Sequence, residues 1–267
     1  MKVHYLFCYL FCCLLALPLG ALSEELPDGD VVAQRINARD EGAQMSRRMT
    51  MVLTDRTGKE RIRETRSYRS YIEGQKRTAI YFESPNNLKG TAFLTYDHLA
   101  ADREDDNWLY LPALRKTRRI SAADRGDYFL GTDMTYEDIK LETRVSDDYR
   151  YRTLRADARD GQPCLWIEAL PKTDRVAREL GYRRVESCID STIWMARETR
   201  FWDLAGNLLK TAHIADIQQV QGIWTPLRMA VENHKTGHRS EFRFSAVDYR
   251  QPIDPELFNP NALHRGP

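Results

Sequence analysis

Two histidines that lie four residues apart are the first candidates for functional residues in this 267-residue chain. His234 and His238 have the separation that places two metal ligands on one face of a helix. They flank Lys235, Thr236 and Gly237, however, a run typical of a hairpin connection rather than of a helix. No third ligand follows nearby, so the sequence predicts no metal site here.

A short acidic run is the second candidate, because carboxylate oxygens are the ligands that calcium prefers. The run lacks the glycine and the regular spacing of a calcium-binding loop. We interpret it as a solvated turn. Its members are Asp102, Glu104, Asp105 and Asp106.

Three further carboxylates have the residue types of a general acid and base. Asp133, Glu137 and Asp138 have no nucleophile motif, glycine-rich phosphate loop or paired histidine beside them. We therefore interpret Asp133 as a turn or capping residue, and expect the other two to be solvent-facing or paired with a basic run. No catalytic residue is predicted, and the chain is not expected to be an enzyme. The basic run consists of Arg115, Lys116, Arg118 and Arg119.

The first 23 residues have the pattern of a secretory signal peptide. Lys2 precedes an unbroken apolar stretch from Tyr5 to Leu17, and small residues follow at Ala21 and Ser23. A retained membrane anchor is the alternative, but the stretch is short for a bilayer span. We expect cleavage near Ser23, export to the periplasm and a single domain over residues 24–267.

The charge of the exported chain is balanced. Removing residues 1–23 takes away one lysine and no acid, which leaves 39 basic and 39 acidic residues. Charged side chains make up 30% of the sequence with the signs interspersed. A surface of this kind produces no long-range field that would attract nucleic acid, so a nucleic-acid partner is not expected.

Two cysteines remain after cleavage, an even number in an oxidising compartment. Cys164 and Cys188 lie in two predicted strands, residues 164–171 and 182–189. A hairpin folded about residues 173–180 would place them opposite each other. A cross-strand disulfide is therefore favoured, and two unpaired core thiols are the alternative.

The rest of the chain reads as about a dozen β-strands after one short helix that contains Val32 and Ile36. The strand with Phe242 and Phe244 alternates with charged residues, which predicts one wet and one apolar face. Short glycine-containing links indicate an antiparallel meander. A single sheet of this length must curl into a barrel or half-barrel, and helical elements near residues 30–40 and 121–131 could fill it.

Several stretches of this chain resemble one known family. They are NWLYLPALRKTRRIS (107–121), YFLGTDMTYEDI (128–139), IWTPLRMAVENHKTGHRSEFRF (223–244) and DPELFNPNAL (254–263). Together they resemble the outer membrane lipoprotein-sorting proteins, LolA-like periplasmic carriers. The resemblance implies a mainly β fold: one curved antiparallel sheet that forms a half-open barrel with a few covering helices. It also implies a monomeric carrier that binds acyl chains without a cofactor, with an exporter of the resistance-nodulation-division kind as a partner.

The apolar lining of such a carrier is predicted from the same-face members of the best alternating strands, whose alternative role is ordinary packed core. The basic run is a candidate docking face for an exporter or for lipid phosphates. Two other functions stay open: an accessory subunit of an exporter, favoured by a filled interior, and a secreted enzyme. The predicted lining residues are Met49, Met51, Ile80, Phe82, Leu109, Leu111, Leu227, Met229, Phe242 and Phe244.

Overall fold

The computed structural model describes residues 25–98, 105–140 and 148–267. The predicted signal peptide lies outside the described residues, as do Asp102 and Glu104. In the ranges just given, no helix has the length and apolar character needed to cross a bilayer.

One antiparallel sheet of thirteen strands makes up most of the described chain. Its order is β6-β5-β4-β3-β2-β1-β13-β12-β11-β10-β9-β8-β7, so the first and last strands pair in the middle and the two edges stay apart. The sheet is curved and open, which confirms the expected half-open barrel. In order from β1, the strands are Gln44–Thr54, Glu60–Ile72, Gln75–Ser84, Ala92–His98, Asp106–Leu111, Lys116–Ile120, Tyr149–Arg159, Gln162–Pro171, Arg184–Asp190, Met195–Trp202, Leu208–Val220, Ile223–Asn233 and Arg239–Asp248.

The predicted amino-terminal helix is present as α1, Gly29–Asn37. The side chain of Asp28 caps it by accepting hydrogen bonds from the amides of Asp30 and Val31. Val32 and Ile36, one turn apart, are buried against the concave face of strands β8 and β9. The helix therefore covers one end of the concave face.

A different segment fills the concave face in front of strands β1 to β5. We call residues 127–139 the plug. Its Phe129 and Ile139 are buried in the same cluster as Met49 and Phe242. The expected helical element near 121–131 is reduced to two single 3-10 turns, Ala122–Asp124 and Phe129–Gly131. The plug is thus held by side-chain packing and hydrogen bonds rather than by helical structure.

Strands β3 to β5 differ from the strands on which one wet face was predicted, because both of their faces are covered. On their convex side, Phe258 and Leu263 from the carboxy-terminal segment are buried in a second cluster with Tyr81 and Leu94. The hydroxyl of Tyr81 donates to the carbonyl of Leu257 at 2.6 Å. Apolar residues therefore occur on both faces here, and alternation alone does not separate inside from outside.

The disulfide between Cys164 and Cys188 is confirmed, with a Cα–Cα distance of 5.5 Å. The cysteines are not directly opposite, however: Cys164 pairs with Asp190, and Cys188 with Trp166. The connection is not a plain turn, because it contains helix α2, Asp174–Leu180, and this shifts the register from the one that a symmetric hairpin would give. The disulfide therefore joins diagonal neighbours on the convex face.

Opening this disulfide is expected to lower the free energy of unfolding by roughly 3–4 kcal/mol, because it releases a loop of about 25 residues in the unfolded chain. The measurement is urea unfolding of the wild type with and without dithiothreitol. The variant Cys164→Ser/Cys188→Ser is the control, and reductant should leave its unfolding midpoint unchanged. A loss below about 1 kcal/mol would show that the unfolded chain gains little freedom from the break.

Candidate functional site

The concave face in front of strands β7 to β12 holds a cavity of about 260 Å³ that the plug leaves open. Its walls are mostly apolar, because most of the alternate residues of these strands that face inward are aliphatic or aromatic. Ile167 and Ala169 of β8 and Val185 of β9 form one wall. Other apolar wall residues are Tyr149, Tyr151, Met195, Phe201, Ala212, Ile214, Met229 and Phe244.

The cavity has a charged end, where Glu41 accepts hydrogen bonds from Arg39 and from side chains of strands β2 and β3. Its carboxylate accepts from Arg39 at 2.8 Å, Arg69 at 3.3 Å, Lys76 at 3.2 Å and the hydroxyl of Tyr71 at 3.0 Å. Burial raises the pKa of Glu41, but the three cations and the Tyr71 hydroxyl outweigh it, and the net pKa is lowered. Glu41 is therefore an ionised and fully engaged acceptor.

Arg47 of β1 also lies on the cavity wall, but it differs from its neighbours. Its guanidinium carbon is 4.2 Å from the ring centroid of Phe244, a cation–π contact. Its Nε is buried without a hydrogen-bond partner, as are those of Arg39 and Arg69. Unlike those two arginines, which pair with Glu41, Arg47 has no carboxylate partner among the described residues. Burial, followed by the charge of Arg69, lowers the pKa of Arg47 to about 10, so the group stays protonated at neutral pH.

A buried ion pair anchors the plug at the other end of the cavity. Lys210 of β11 is fully buried and donates to Oδ2 of Asp138 and to the carbonyl of Asp133, both at 2.6 Å. The hydroxyl of Tyr182 donates to the same Asp138 oxygen at 2.6 Å. The expected pairing of Asp138 with the basic run is therefore wrong, because the carboxylate of Asp138 forms its ion pair with Lys210 beneath the plug.

Asp133, His238 and Ser240 have the residue types of a hydrolytic triad but not its arrangement. Asp133 lies in the middle: Ser240 Oγ donates to its Oδ2 at 2.6 Å, and His238 Nδ1 lies 2.5 Å from the same atom. In a triad the histidine stands between the other two and takes the proton of the serine. Asp133 lies in the turn between Tyr128 and Thr135, as expected, and its buried side chain also links the plug to β13.

The two histidines considered as a metal pair contact different partners. His234 Nε2 lies 2.8 Å from Thr211 Oγ1, whereas His238 contacts Asp133. Across the described ranges there is no group of three histidine, cysteine or acidic residues that could hold a metal ion. The acidic run is not simply a solvated turn, because Asp106 lies in β5 and pairs with Arg119 and His98.

The structure places the predicted lining residues in three groups. Met229 and Phe244 lie on the cavity wall. Leu227 is half-buried beside the core cluster. Leu111 is half-buried beside the same cluster. The others pack in that cluster together with Phe129 of the plug; they are Met49, Met51, Ile80, Phe82, Leu109 and Phe242.

The basic run lies on and beside β6, an edge strand of the sheet. Several strands separate it from the strands that form the cavity wall. Arg118 lies near Tyr136 of the plug and interacts with it electrostatically, and Arg119 pairs with Asp106. Arg115 and Lys116 are exposed. None of the four lines the cavity. The wall from β7 to β10 was missed in the sequence, although the alternation of Leu165, Ile167 and Ala169 was visible there.

Comparisons with known proteins agree with this architecture. A family model with the description "-like: Uncharacterized protein" matches residues 74–265. Among curated proteins, none matches the chain. The structure is similar to a putative outer membrane lipoprotein-sorting protein domain from Vibrio parahaemolyticus, with 31% identity and a TM-score of 0.80 over 89% of this chain and 98% of the other.

Two further solved structures are similar. A member of a protein family of unknown function from Desulfovibrio piger has 25% identity and a TM-score of 0.80, over 87% of this chain and 96% of the other. A LolA superfamily protein from Nitrosomonas europaea has 17% identity and a TM-score of 0.66, over 88% of this chain and 98% of the other. The last likeness concerns the fold alone.

Proposed function

Because the chain belongs to the outer membrane lipoprotein-sorting, LolA-like family, we propose that it is a periplasmic carrier that binds a lipid or lipoprotein acyl chain in the concave cavity. The observation that carries this proposal is the apolar cavity in front of β7 to β12, on the same sheet face that the plug fills elsewhere. Residues 1–23 act as the cleaved signal peptide in this proposal, and residues 24–267 as one domain.

Hydrophobic burial supplies the affinity, and no cofactor takes part. Each methylene removed from water contributes about 0.8 kcal/mol, so ten buried methylenes give roughly 8 kcal/mol before the costs of association. The cavity volume of about 260 Å³ is near the lower end of ligand pockets. The cavity as it stands therefore suits one acyl chain. Release requires a competing apolar site, such as a receptor or a membrane.

The periplasm is the proposed compartment, and the disulfide supports it. A disulfide between Cys164 and Cys188 persists in an oxidising environment such as the periplasm. We propose an inner-membrane exporter of the resistance-nodulation-division kind as a partner. The filled half of the concave face supports a second candidate, an accessory subunit that binds an exporter without cargo, because in that half the fold already supplies its own core.

Filling the cavity is expected to remove cargo binding. Ala169 is half-buried on the wall, and Ala169→Trp should weaken binding of the fluorescent probe N-phenyl-1-naphthylamine by at least about tenfold, which corresponds to two methylenes of lost burial. The same variant, purified from periplasm, should carry less lipid in native mass spectrometry with lipid extraction.

Ala158→Trp is the matched control, because Ala158 is exposed on β7 and does not line the cavity. Its probe affinity should equal that of the wild type. Equal binding by all three proteins would contradict a ligand in this cavity. A wild type that is always empty but captures an exporter would support the accessory subunit.

A further inference from the structure

The proposed carrier leaves one cavity group without a role, the guanidinium of Arg47. It stacks on Phe244 and has no carboxylate partner in the described part of the chain. An unpaired charge against an apolar wall is unfavourable, because it loses hydration without gaining an ion pair. A fold that keeps such a group at a cavity is suited to a ligand that brings the opposite charge.

The neighbouring polar groups cannot supply that charge. Glu41 already accepts from Arg39, Arg69, Lys76 and Tyr71. At the other end, Asp138 is engaged by Lys210 and Tyr182. The third carboxylate of the cavity wall, Glu137, interacts with Arg125. All three carboxylates are therefore committed within the protein.

The hydroxyl groups beside Arg47 are engaged as well. Thr225 Oγ1 donates to the carbonyl of Ile223 at 2.9 Å and lies 2.8 Å from the hydroxyl of Tyr249. The hydroxyl proton of Tyr249 is therefore directed to Thr225. Arg47 remains the donor group on this part of the wall with capacity for a ligand.

The position of Arg47 fits the polar end of an amphiphile. The cavity wall also includes Trp224, which is 37% exposed and therefore in contact with solvent. From Arg47 the apolar wall continues across β13 and β12 toward Ile167 and Ala169. A head group at Arg47 would thus leave its acyl chain in the apolar part of the cavity.

Arg63 is another arginine of the concave face, and it differs from Arg47 in its access to the cavity. Arg63 is 7% exposed and also has a buried nitrogen without a partner. It lies beneath the plug, where its Nη2 is 3.9 Å from the position that a Cβ on Gly131 would take. Arg63 is covered by the protein's own backbone, whereas Arg47 faces the cavity.

We propose that the cavity selects amphiphiles with an anionic head group, a carboxylate or a phosphate, and that Arg47 binds this group. The inference rests on the proposed carrier function and narrows its cargo. It favours a fatty acid or a phospholipid over a neutral acyl ester. Charge-assisted hydrogen bonds are roughly twice as strong as neutral ones, so selection on the order of tenfold is expected.

The test compares chain-matched ligands on the full mature protein. Dodecyl phosphate, dodecanoate, dodecanol and dodecyltrimethylammonium compete with N-phenyl-1-naphthylamine, and inorganic phosphate is added alone as a fifth competitor. In the wild type the two anions should bind about tenfold more tightly than dodecanol, and the cation more weakly. Inorganic phosphate alone should not displace the probe.

Arg47→Met should remove the preference for anions, so that dodecyl phosphate and dodecanoate bind no more tightly than dodecanol, and Arg47→Lys should keep part of the preference. Arg48→Met is the matched control: Arg48 is the next residue on β1, faces the convex side and pairs with Glu83 at 3.5 Å. Its preference should equal that of the wild type. The wild-type series tests the proposal even if a variant does not fold.

Each other outcome counts against the inference in a distinguishable way. If dodecanol and dodecyl phosphate bind equally and Ala169→Trp blocks both, the carrier stands and the selectivity is wrong. If inorganic phosphate competes as well as dodecyl phosphate, the site binds free anions and the lipid assignment is wrong. If no dodecyl compound binds, both the carrier and the inference fail.

Discussion

Replacing Lys210 with methionine is expected to lower the free energy of unfolding by about 3–5 kcal/mol, measured by urea unfolding. Methionine keeps much of the length of the side chain and its contact with Phe201, but it removes the charge opposite Asp138. The carboxylate is then left buried without its cation, which costs more than the ion pair contributed. The plug should loosen first, because Asp138 belongs to it.

The double variant Lys210→Met/Asp138→Asn separates the lost pair from the lost packing. Asparagine removes the buried charge and can still accept from Thr135 and Tyr182, so the double variant should be less destabilised than the sum of the single changes. Exact additivity would mean that the two side chains do not interact energetically, contrary to their 2.6 Å contact.

The same ion pair predicts an acid dependence. Burial raises the pKa of Asp138, but the charge and hydrogen bond of Lys210, the Thr135 amide and the Tyr182 hydroxyl outweigh it and lower the pKa below its usual value. The stabilisation is therefore complete above the unfolded-state pKa of about 3.9 and is lost as the pH falls through the lower folded value. The Asp138→Asn variant should lack this part of the pH dependence below about pH 4.

The sheet architecture could be predicted from the sequence, because it depends on the local alternation of apolar and polar residues. Alternation placed Met229 and Phe242 on one face, and the two residues are direct cross-strand neighbours. The disulfide partners also followed from their strands. Their register did not, because it depends on helix α2 in the connection, and this was read as a turn.

The site could be predicted less well from the sequence. Alternation identifies the residues of the concave face but not the segment that covers them. Leu109 and Phe244 have the same pattern in sequence and pack in the same core cluster, yet only Phe244 also lies on the cavity wall. The plug has no helical periodicity, so its path could not be read from its residues. Arg47 was likewise missed, since its lack of an acidic partner is a property of the three-dimensional neighbourhood.

The plug itself provides a second large expected effect. Phe129 is fully buried, with ring centroids 5.2 Å from Phe93 and 5.6 Å from Tyr136. Phe129→Ala should lower the free energy of unfolding by about 3–5 kcal/mol, through lost burial and the void that remains. Phe129→Leu, which keeps most of the volume, should cost less than about 1.5 kcal/mol. Leu114→Ala is the control at a 68% exposed residue and should change stability by under about 0.5 kcal/mol.

The size of the Phe129 effect also decides how large the cargo can be. A loss of several kcal/mol means that the plug is part of the core, and the cargo is confined to the space in front of β7 to β12. A loss below about 1 kcal/mol would mean that the plug opens at little cost and acts as a lid. In that case Met49, Phe82 and Leu109 would become accessible to cargo beneath it, and the carrier could accept more than one acyl chain.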